Sequence, residues 1–248
     1  MKIKFESDIH LEFEMYTPNL EGIDLYILAG DIHVGSRAIP WIESLLEKYE
    51  ELNIIYVMGN HEMYKENLDK LPKEIKEKIK NERLHFLDNE SIVIKGTRFI
   101  GSVLWTDYDR RNPTHIYKAW NGMNDFKAIR HTAQYHRITP YIIEAKHQRC
   151  RKYIFDELDS SKEPSIVITH HCPYVLQPTE GLWAAFNVDL DTEIDSCTNL
   201  PKLWISGHTH ECKDITFPYT NGEVRFMSNQ KGYPGEYTGH NKDLVIEI

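Results

Sequence analysis

The chain has 248 residues, enough for one large α/β domain or two small ones and for a sizeable buried core. Apolar content of 41% and charged content of 27% are those of an ordinary globular protein, and no apolar run approaches the length of a membrane span. A net charge of −9 argues against a general nucleic-acid coat, but from Arg110 to Lys152 ten Lys/Arg stand against two acids, leaving that segment at +8 and the remainder at −17. Such asymmetry points to a face for an anionic partner. Cys150, Cys172, Cys197 and Cys212 show no CxxC spacing and are too few for a disulfide framework, so they read as reduced thiols of a cytoplasmic protein. Met1-Lys2-Ile3-Lys4-Phe5-Glu6 enters a strand with no apolar signal segment before it.

In chain order, Ile3 to Phe5 is a strand followed by Asp8-Ile9-His10, and Leu25 to Ala29 is a strand ending in Gly30-Asp31. Ile39 to Tyr49 is helical, with Ile42, Leu45, Leu46 and Tyr49 at helix spacing, and returns the chain in parallel to the strand Ile54 to Met58. Gly59-Asn60-His61-Glu62 follows it. Leu71 to Lys80 reads as a second helix with a solvated outer face. Ile92 to Ile94 and Arg98 to Ile100 form a hairpin across Lys95-Gly96-Thr97. Trp105 to Ala128 lacks a clear period and reads as a long functional loop, and Tyr141 to Leu158 is helical again. Strand Ile166 to Ile168 precedes His170-His171, and a loop runs from Cys172 to Pro201. Leu203 to Ile205 leads into Gly207-His208-Thr209-His210, Ile215 to Phe217 pairs with Val224 to Met227 across Asn221-Gly222, and Leu244 to Ile246 closes the sheet. No repeat or linker divides the chain, so residues 1–248 read as one domain with a basic, aromatic-rich cap at about 105–152. Alternating strands and helices followed by hairpins imply two mixed β-sheets packed face to face with helices outside, an α/β fold.

Five apolar runs deliver Asp, His or Asn at their carboxyl ends, where open α/β sheets place their chemistry. Asp8 and His10 stand at i, i+2, and His208 and His210 repeat the spacing, so each pair can point to one side of an extended segment. With Asp31, Asn60 and His170 they make seven nitrogen or oxygen donors, a set that suits Zn, Mn, Fe or Co better than Ca or Mg. Seven are too many for one tetrahedral site and about right for two ions sharing a bridging carboxylate.

Asp8-Ile9-His10, Gly30-Asp31, Gly59-Asn60-His61-Glu62, His170 and Gly207-His208-Thr209-His210, in this order, resemble the calcineurin-like metallophosphoesterase superfamily from residue 7 to about residue 240. The resemblance implies a four-layer α/β/β/α sandwich and two divalent transition-metal ions per chain, with manganese expected and iron, zinc, nickel or cobalt fitting the same donors. It implies that Asp31 bridges the ions, that Asp8, His10 and His210 hold one, and that Asn60, His170 and His208 hold the other. His61 then faces the phosphate and protonates the leaving oxygen, while a hydroxide activated by the two metals attacks phosphorus. Glu62 reads as a carboxylate behind the ligands. His33 reads as a hydrogen-bonding loop histidine that could join it there. Of His170 and His171 only one should face the metals, because neighbours in an extended segment point opposite ways.

Protein phosphatases of the superfamily clamp the phosphoryl group with an arginine where this chain has Gly35, and Arg37 is off register. That departure favours a phosphodiesterase acting on a nucleotide or nucleic acid. The alternatives are a phosphomonoesterase on a small metabolite and a non-catalytic scaffold, although a scaffold should have lost His61 or several ligands. Arg110, Arg111, Lys127 and Arg130, interleaved with Tyr117, Trp120 and Phe126, are the expected substrate contacts. No membrane partner is expected, and the oligomeric state stays open.

Overall fold

The computed structural model describes residues 1–176 and 181–248. Its strands are Lys2–Glu6 (β1), Leu25–Ala29 (β2), Asn53–Val57 (β3), Leu84–Phe86 (β4), Glu90–Ile94 (β5), Thr97–Ser102 (β6), Arg130–His131 (β7), His136–Arg137 (β8), Ser165–Thr169 (β9), Leu203–Ile205 (β10), Lys213–Tyr219 (β11), Gly222–Ser228 (β12) and Ile246–Glu247 (β13). Its helices are Ala38–Lys48 (α1), Leu71–Lys78 (α2), Tyr108–Arg111 (α3), Pro113–Gly122 (α4), Asp125–Ala128 (α5), Pro140–Ser160 (α6), Trp183–Phe186 (α7) and Asp191–Ser196 (α8). The strands form a five-stranded sheet in the order β13-β1-β2-β3-β4, a six-stranded sheet in the order β11-β12-β10-β9-β6-β5, and a small β7-β8 ribbon.

Both large sheets are mixed. β1 to β4 run parallel with β13 antiparallel at one edge, and β6, β9, β10 and β12 run parallel between two antiparallel edge strands. Side-chain alternation then sorts the core into three apolar layers. Ile3, Phe5, Leu25, Ile27, Ile55 and Val57 meet Phe99, Ile166, Ile168, Leu203 and Ile205 between the sheets. Tyr26, Leu28, Ile54 and Tyr56, on the opposite face, pack under Ile39, Ile42 and Leu46 of α1 and Ile75 of α2. On the far side Val167, Trp204 and Phe226 pack under Ile154 and Leu158 of α6 and Ile194 of α8. The expected pair of mixed sheets flanked by helices is the fold observed.

Two stretches expected as loops contain helices. Asn112 caps α4 by accepting the Thr114 N–H at 3.0 Å, and Pro113 opens it at a position that needs no N–H. Ala119 is the only buried residue within α4, so the helix carries almost no apolar stripe to read. Within Cys172 to Pro201 the short α7 and α8 form, while residues 177–180 lie outside the described residues. Among the described residues no helix is long and apolar enough to cross a membrane.

Candidate metal centre

The loops that leave β1, β2, β3, β9 and β10 converge at one place, and the chain there is crowded and bent. Asp8, His10, Asp31, His208 and His210 all have positive φ, between 51° and 69°, a region that non-glycine residues enter at a cost of order 1–3 kcal/mol each. Glycine is forced beside them. A Cβ on Gly59 would collide with Asp31 Oδ1, and one on Gly30 with the His170 ring. One on Gly207 would lie 2.6 Å from Ser7 Oγ and 2.7 Å from Asp8 Oδ2. Strain of this kind persists only where the surroundings hold it, and here hydrogen bonds do so. Asp8 accepts the His208 amide at 3.0 Å and the Ser7 hydroxyl at 2.6 Å, and Gln230 accepts the His210 amide at 2.6 Å.

The seven expected donors fall into two groups. In the first, His210 Nε2 lies 3.4 Å from Asp8 Oδ1 and 3.2 Å from His10 Nε2. Their other ring nitrogens face carboxylates, His210 Nδ1 at 2.6 Å from Glu236 and His10 Nδ1 at 3.2 Å from Glu12. In the second, His170 Nε2 lies 3.1 Å from Asn60 Oδ1, 3.4 Å from Asp31 Oδ2 and 3.2 Å from His208 Nδ1. Its Nδ1 is 3.0 Å from the Ala29 carbonyl. With the outer nitrogens of His10, His210 and His170 set against oxygens, their inner nitrogens face the other donors of each group, an arrangement that suits a bound cation. His208 Nε2 is buried without a hydrogen-bond partner. The field has the matching sign. Burial opposes charge on His170, yet Asp31 and Asp8 raise it to about 10, and Asp8 and Glu236 raise the half-buried His210 to about 9 against the same opposition. The donor set and its geometry fit two divalent ions.

His171 stays out of both groups. Its Nδ1 is 3.3 Å from the Val103 carbonyl, and burial followed by the neighbouring His170 lowers it to about 3, so it is neutral. His61 lies outside these two groups but beside them, its ring centroid 4.4 Å from that of His10 and its ring nitrogen close to Glu12. Its amide donates to Asp31 Oδ1 at 2.7 Å, its Nδ1 is 2.8 Å from Glu12 Oε1, and its Nε2 is 3.1 Å from the Tyr233 hydroxyl. Burial would lower its pKa, but Asp31 and Glu12 raise it to about 9.

Glu62 does not touch His61's ring. It accepts the N–H groups of Gly59 and Asp31 on Oε2 at 2.7 and 3.0 Å, and the Ile32 N–H and Tyr56 O–H on Oε1 at 2.7 and 3.0 Å. It therefore ties the loop after β2 to the loop after β3. Burial and Asp31 push its carboxyl up to about 7 while the Gly59 and Ile32 amides pull the other way, and the surrounding donors require the acceptor form. His33 Nδ1 accepts the Val34 amide at 2.7 Å and reaches only to 3.9 Å from Glu12 Oε2, two residues removed from the donor groups.

Three contributors lie outside the expected set. Glu12 extends the Asp8, His10 alternation by another two residues, so its pattern was visible. Asp125 had no local signal: 65 residues from Asn60, it accepts the Asn60 Nδ2–H at 2.9 Å and the Tyr64 hydroxyl at 2.8 Å, which turns Asn60 Oδ1 towards His170. Tyr233 sits in a glycine-rich turn with no periodicity.

A crevice of about 330 Å³ opens at the donor groups, walled by Asn60, His61, Tyr64, Met123, Phe186, His208, His210 and Tyr233. The basic segment brings Gly122, Met123 and Asn124 to this wall, but among the described residues neither Arg110, Arg111, Lys127 nor Arg130 lines it. Arg110 pairs with Asp189 at 3.2 Å and Arg111 with Glu144 at 2.7 Å. The Arg130 guanidinium donates to the Lys127 and Ile129 carbonyls, and Lys127 is exposed. Local partners hold three of these charges, and the expected contacts of the four with substrate lie outside this wall.

The family model for calcineurin-like phosphoesterases matches residues 1–212, and the chain belongs to that family. It is a metal-dependent phosphoester hydrolase. Uncharacterized protein L509 of Acanthamoeba polyphaga mimivirus is 26% identical, over 99% of this chain and 96% of its own length. Among solved structures, a dimetal phosphatase from Danio rerio superposes with a TM-score of 0.53 at 12% identity, covering 92% of this chain and 87% of its own. That likeness is one of fold.

Proposed function

We propose that the chain is a phosphodiesterase acting on a nucleotide or nucleic-acid ester. The observation that carries this reading is the charge of the crevice: among the described residues its wall holds no Lys or Arg. A phosphomonoester brings a second negative charge that a clamping arginine would meet, whereas a diester brings one. Gly35 has φ +64°, and a Cβ there would lie 2.9 Å from Glu66 Oε1, so a side chain at this position meets an acid. Arg37 is exposed and off the wall. The crevice shares Leu182, Phe186 and Thr209 with a neighbouring pocket of about 300 Å³ that Tyr174 and Trp183 also line, flat surfaces suited to a base.

In this reading Asp8, His10 and His210 would hold one ion and Asn60, His170 and His208 the other, with Asp31 as the carboxylate that would serve both. Manganese suits these nitrogen and oxygen donors. Metal ions held by these residues would supply hydroxide near neutral pH and charge to offset that of the phosphoryl oxygens. Glu12 and Glu236 fix the ring orientations of His10 and His210, and Asp125 fixes that of the Asn60 amide. His61, anchored on Glu12, supplies the proton for the departing oxygen. The segment 105–152 acts as a cap through Gly122 to Asn124, and the unpaired, largely buried thiols fit a cytoplasmic setting. The test is hydrolysis of bis(p-nitrophenyl) phosphate against p-nitrophenyl phosphate with Mn²⁺, followed by cyclic nucleotides and oligonucleotides. Faster turnover of the diester is expected, and a strong preference for the monoester overturns the reading.

A further inference from the structure

The turn from Lys231 to Glu236 lies across the crevice and is tied down at several points. The amides of Lys231 and Gly232 donate to the Ser7 and Asp8 carbonyls at 3.0 and 2.9 Å. Glu236 Oε2 accepts the Tyr233 amide at 2.9 Å and faces His210 Nδ1 at 2.6 Å, so one carboxylate fixes both the turn and a donor of the metal centre. Gly232 and Gly235, at φ +74° and +83°, make the bend possible. The turn thus holds the Tyr233 side chain in a set position.

Tyr233 packs one side of its ring on the histidines of the metal centre and stays 41% exposed. Its ring stacks on His10 with centroids 4.5 Å apart and meets His210 edge-on at 4.7 Å, while its hydroxyl stands 3.1 Å from His61 Nε2. His61 Nδ1 is engaged by Glu12, so Nε2 is the nitrogen left to serve a substrate, and the phenol oxygen covers it. His61 and Tyr233 line the same crevice, so a departing oxygen there comes within reach of the hydroxyl as well as of the nitrogen.

We propose that Tyr233 is a catalytic residue whose hydroxyl touches the leaving oxygen and relays the proton of His61. The inference rests on the assignment of His61 as proton donor. As water oxygen bonds to phosphorus and the phosphorus–leaving-oxygen bond breaks, the leaving oxygen takes the Tyr233 hydroxyl proton. The phenol oxygen takes the proton from His61 Nε2, and His61 keeps Nδ1–H on Glu12. The proton lost by the attacking water passes to solvent, and solvent returns one to His61.

The test compares Tyr233→Phe and His61→Ala on thymidine phosphodiesters with p-nitrophenyl and with alkyl leaving groups. Tyr233→Phe keeps the ring on His10, so the protein should retain two ions by metal analysis and its melting temperature. Its kcat should fall on the order of 10²-fold for alkyl leaving groups and little for p-nitrophenyl, following His61→Ala. The double variant should be no slower than His61→Ala alone. In zinc-loaded protein the His61 Nε2 nitrogen resonance should move on loss of the hydroxyl. If His61→Ala shows the leaving-group gradient and Tyr233→Phe does not, substrate displaces the tyrosine and the relay is overturned while the role of His61 stands. If His61→Ala shows no gradient, the assignment of His61 falls and the relay with it.

Discussion

Replacing Glu62 by glutamine changes one oxygen to an NH₂ group and leaves shape and volume nearly intact. The carboxylate accepts four short hydrogen bonds, from Gly59, Asp31, Ile32 and Tyr56, and a longer one from the His33 amide at 3.4 Å. Whichever way the new amide turns, its NH₂ faces backbone N–H groups that cannot rotate away. With the NH₂ towards Gly59 and Asp31, two buried donors lose their acceptor, at about 1–3 kcal/mol each. A net loss of about 3 kcal/mol is a large part of the 5–15 kcal/mol that holds a domain folded, and should lower the melting temperature by roughly 6–12 °C. Because the freed amides belong to the loops carrying Asp31 and Asn60, metal affinity should drop as well, on the order of 10–100-fold. Thermal melts of the metal-free protein and calorimetric titration with Mn²⁺ measure the two effects. A Glu62→Gln protein that melts within about 2 °C of the parent and binds metal equally well would refute the claim that this carboxylate holds the two loops together.

Asp31→Asn should lose both ions, since a neutral amide replaces the acid between the two donor groups; two ions retained with normal turnover would sink the bridging role. Asp125→Ala should weaken binding at the Asn60 group on the order of 10–100-fold by freeing the Asn60 amide to turn, and metal titration showing unchanged affinity would remove Asp125 from the site. Arg110 and Arg111 are about 70% and 68% exposed and paired away from the crevice, so the double alanine variant should keep the KM for a dinucleotide substrate at low and high salt. A large rise in KM at low salt would restore these residues as substrate contacts.

The fold was legible where burial imposes a period. β2, β3, β9 and β10 are largely continuous apolar runs because both faces of each strand are covered, β1 alternates Ile3 and Phe5 with the buried charges of Lys4 and Glu6, and α1 shows Ile39, Ile42 and Leu46 at helix spacing because one face lies on the sheet. β4 was not legible. It contributes only Leu84 and Phe86 to the buried side, too few for alternation to show. α4 escaped for the same reason, with Ala119 alone buried inside it, although Asn112-Pro113 is a start signal that could have been weighed.

The site divides along a different line. Donors at strand ends could be found because glycine marks three of them: Gly30, Gly59 and Gly207 precede Asp31, Asn60 and His208, since a Cβ at these positions would run into His170, Asp31 and Asp8. What orients those donors is held by tertiary contacts of long sequence separation, Asp125 to Asn60 across 65 residues and Tyr233 to His61 across 172. No local pattern constrains such a partner, since any acid or phenol brought to the right spot by the fold would serve. The basic segment shows the converse. Its charge is plain in the sequence, but charge on a chain does not say which way it faces, and in the fold Arg110 and Arg111 are spent on Asp189 and Glu144 while an acid, Asp125, is what the segment turns inward. A segment that delivers a carboxylate to Asn60 while its Arg110 and Arg111 pair elsewhere accords with the proposed substrate, whose single charge bound metals would balance.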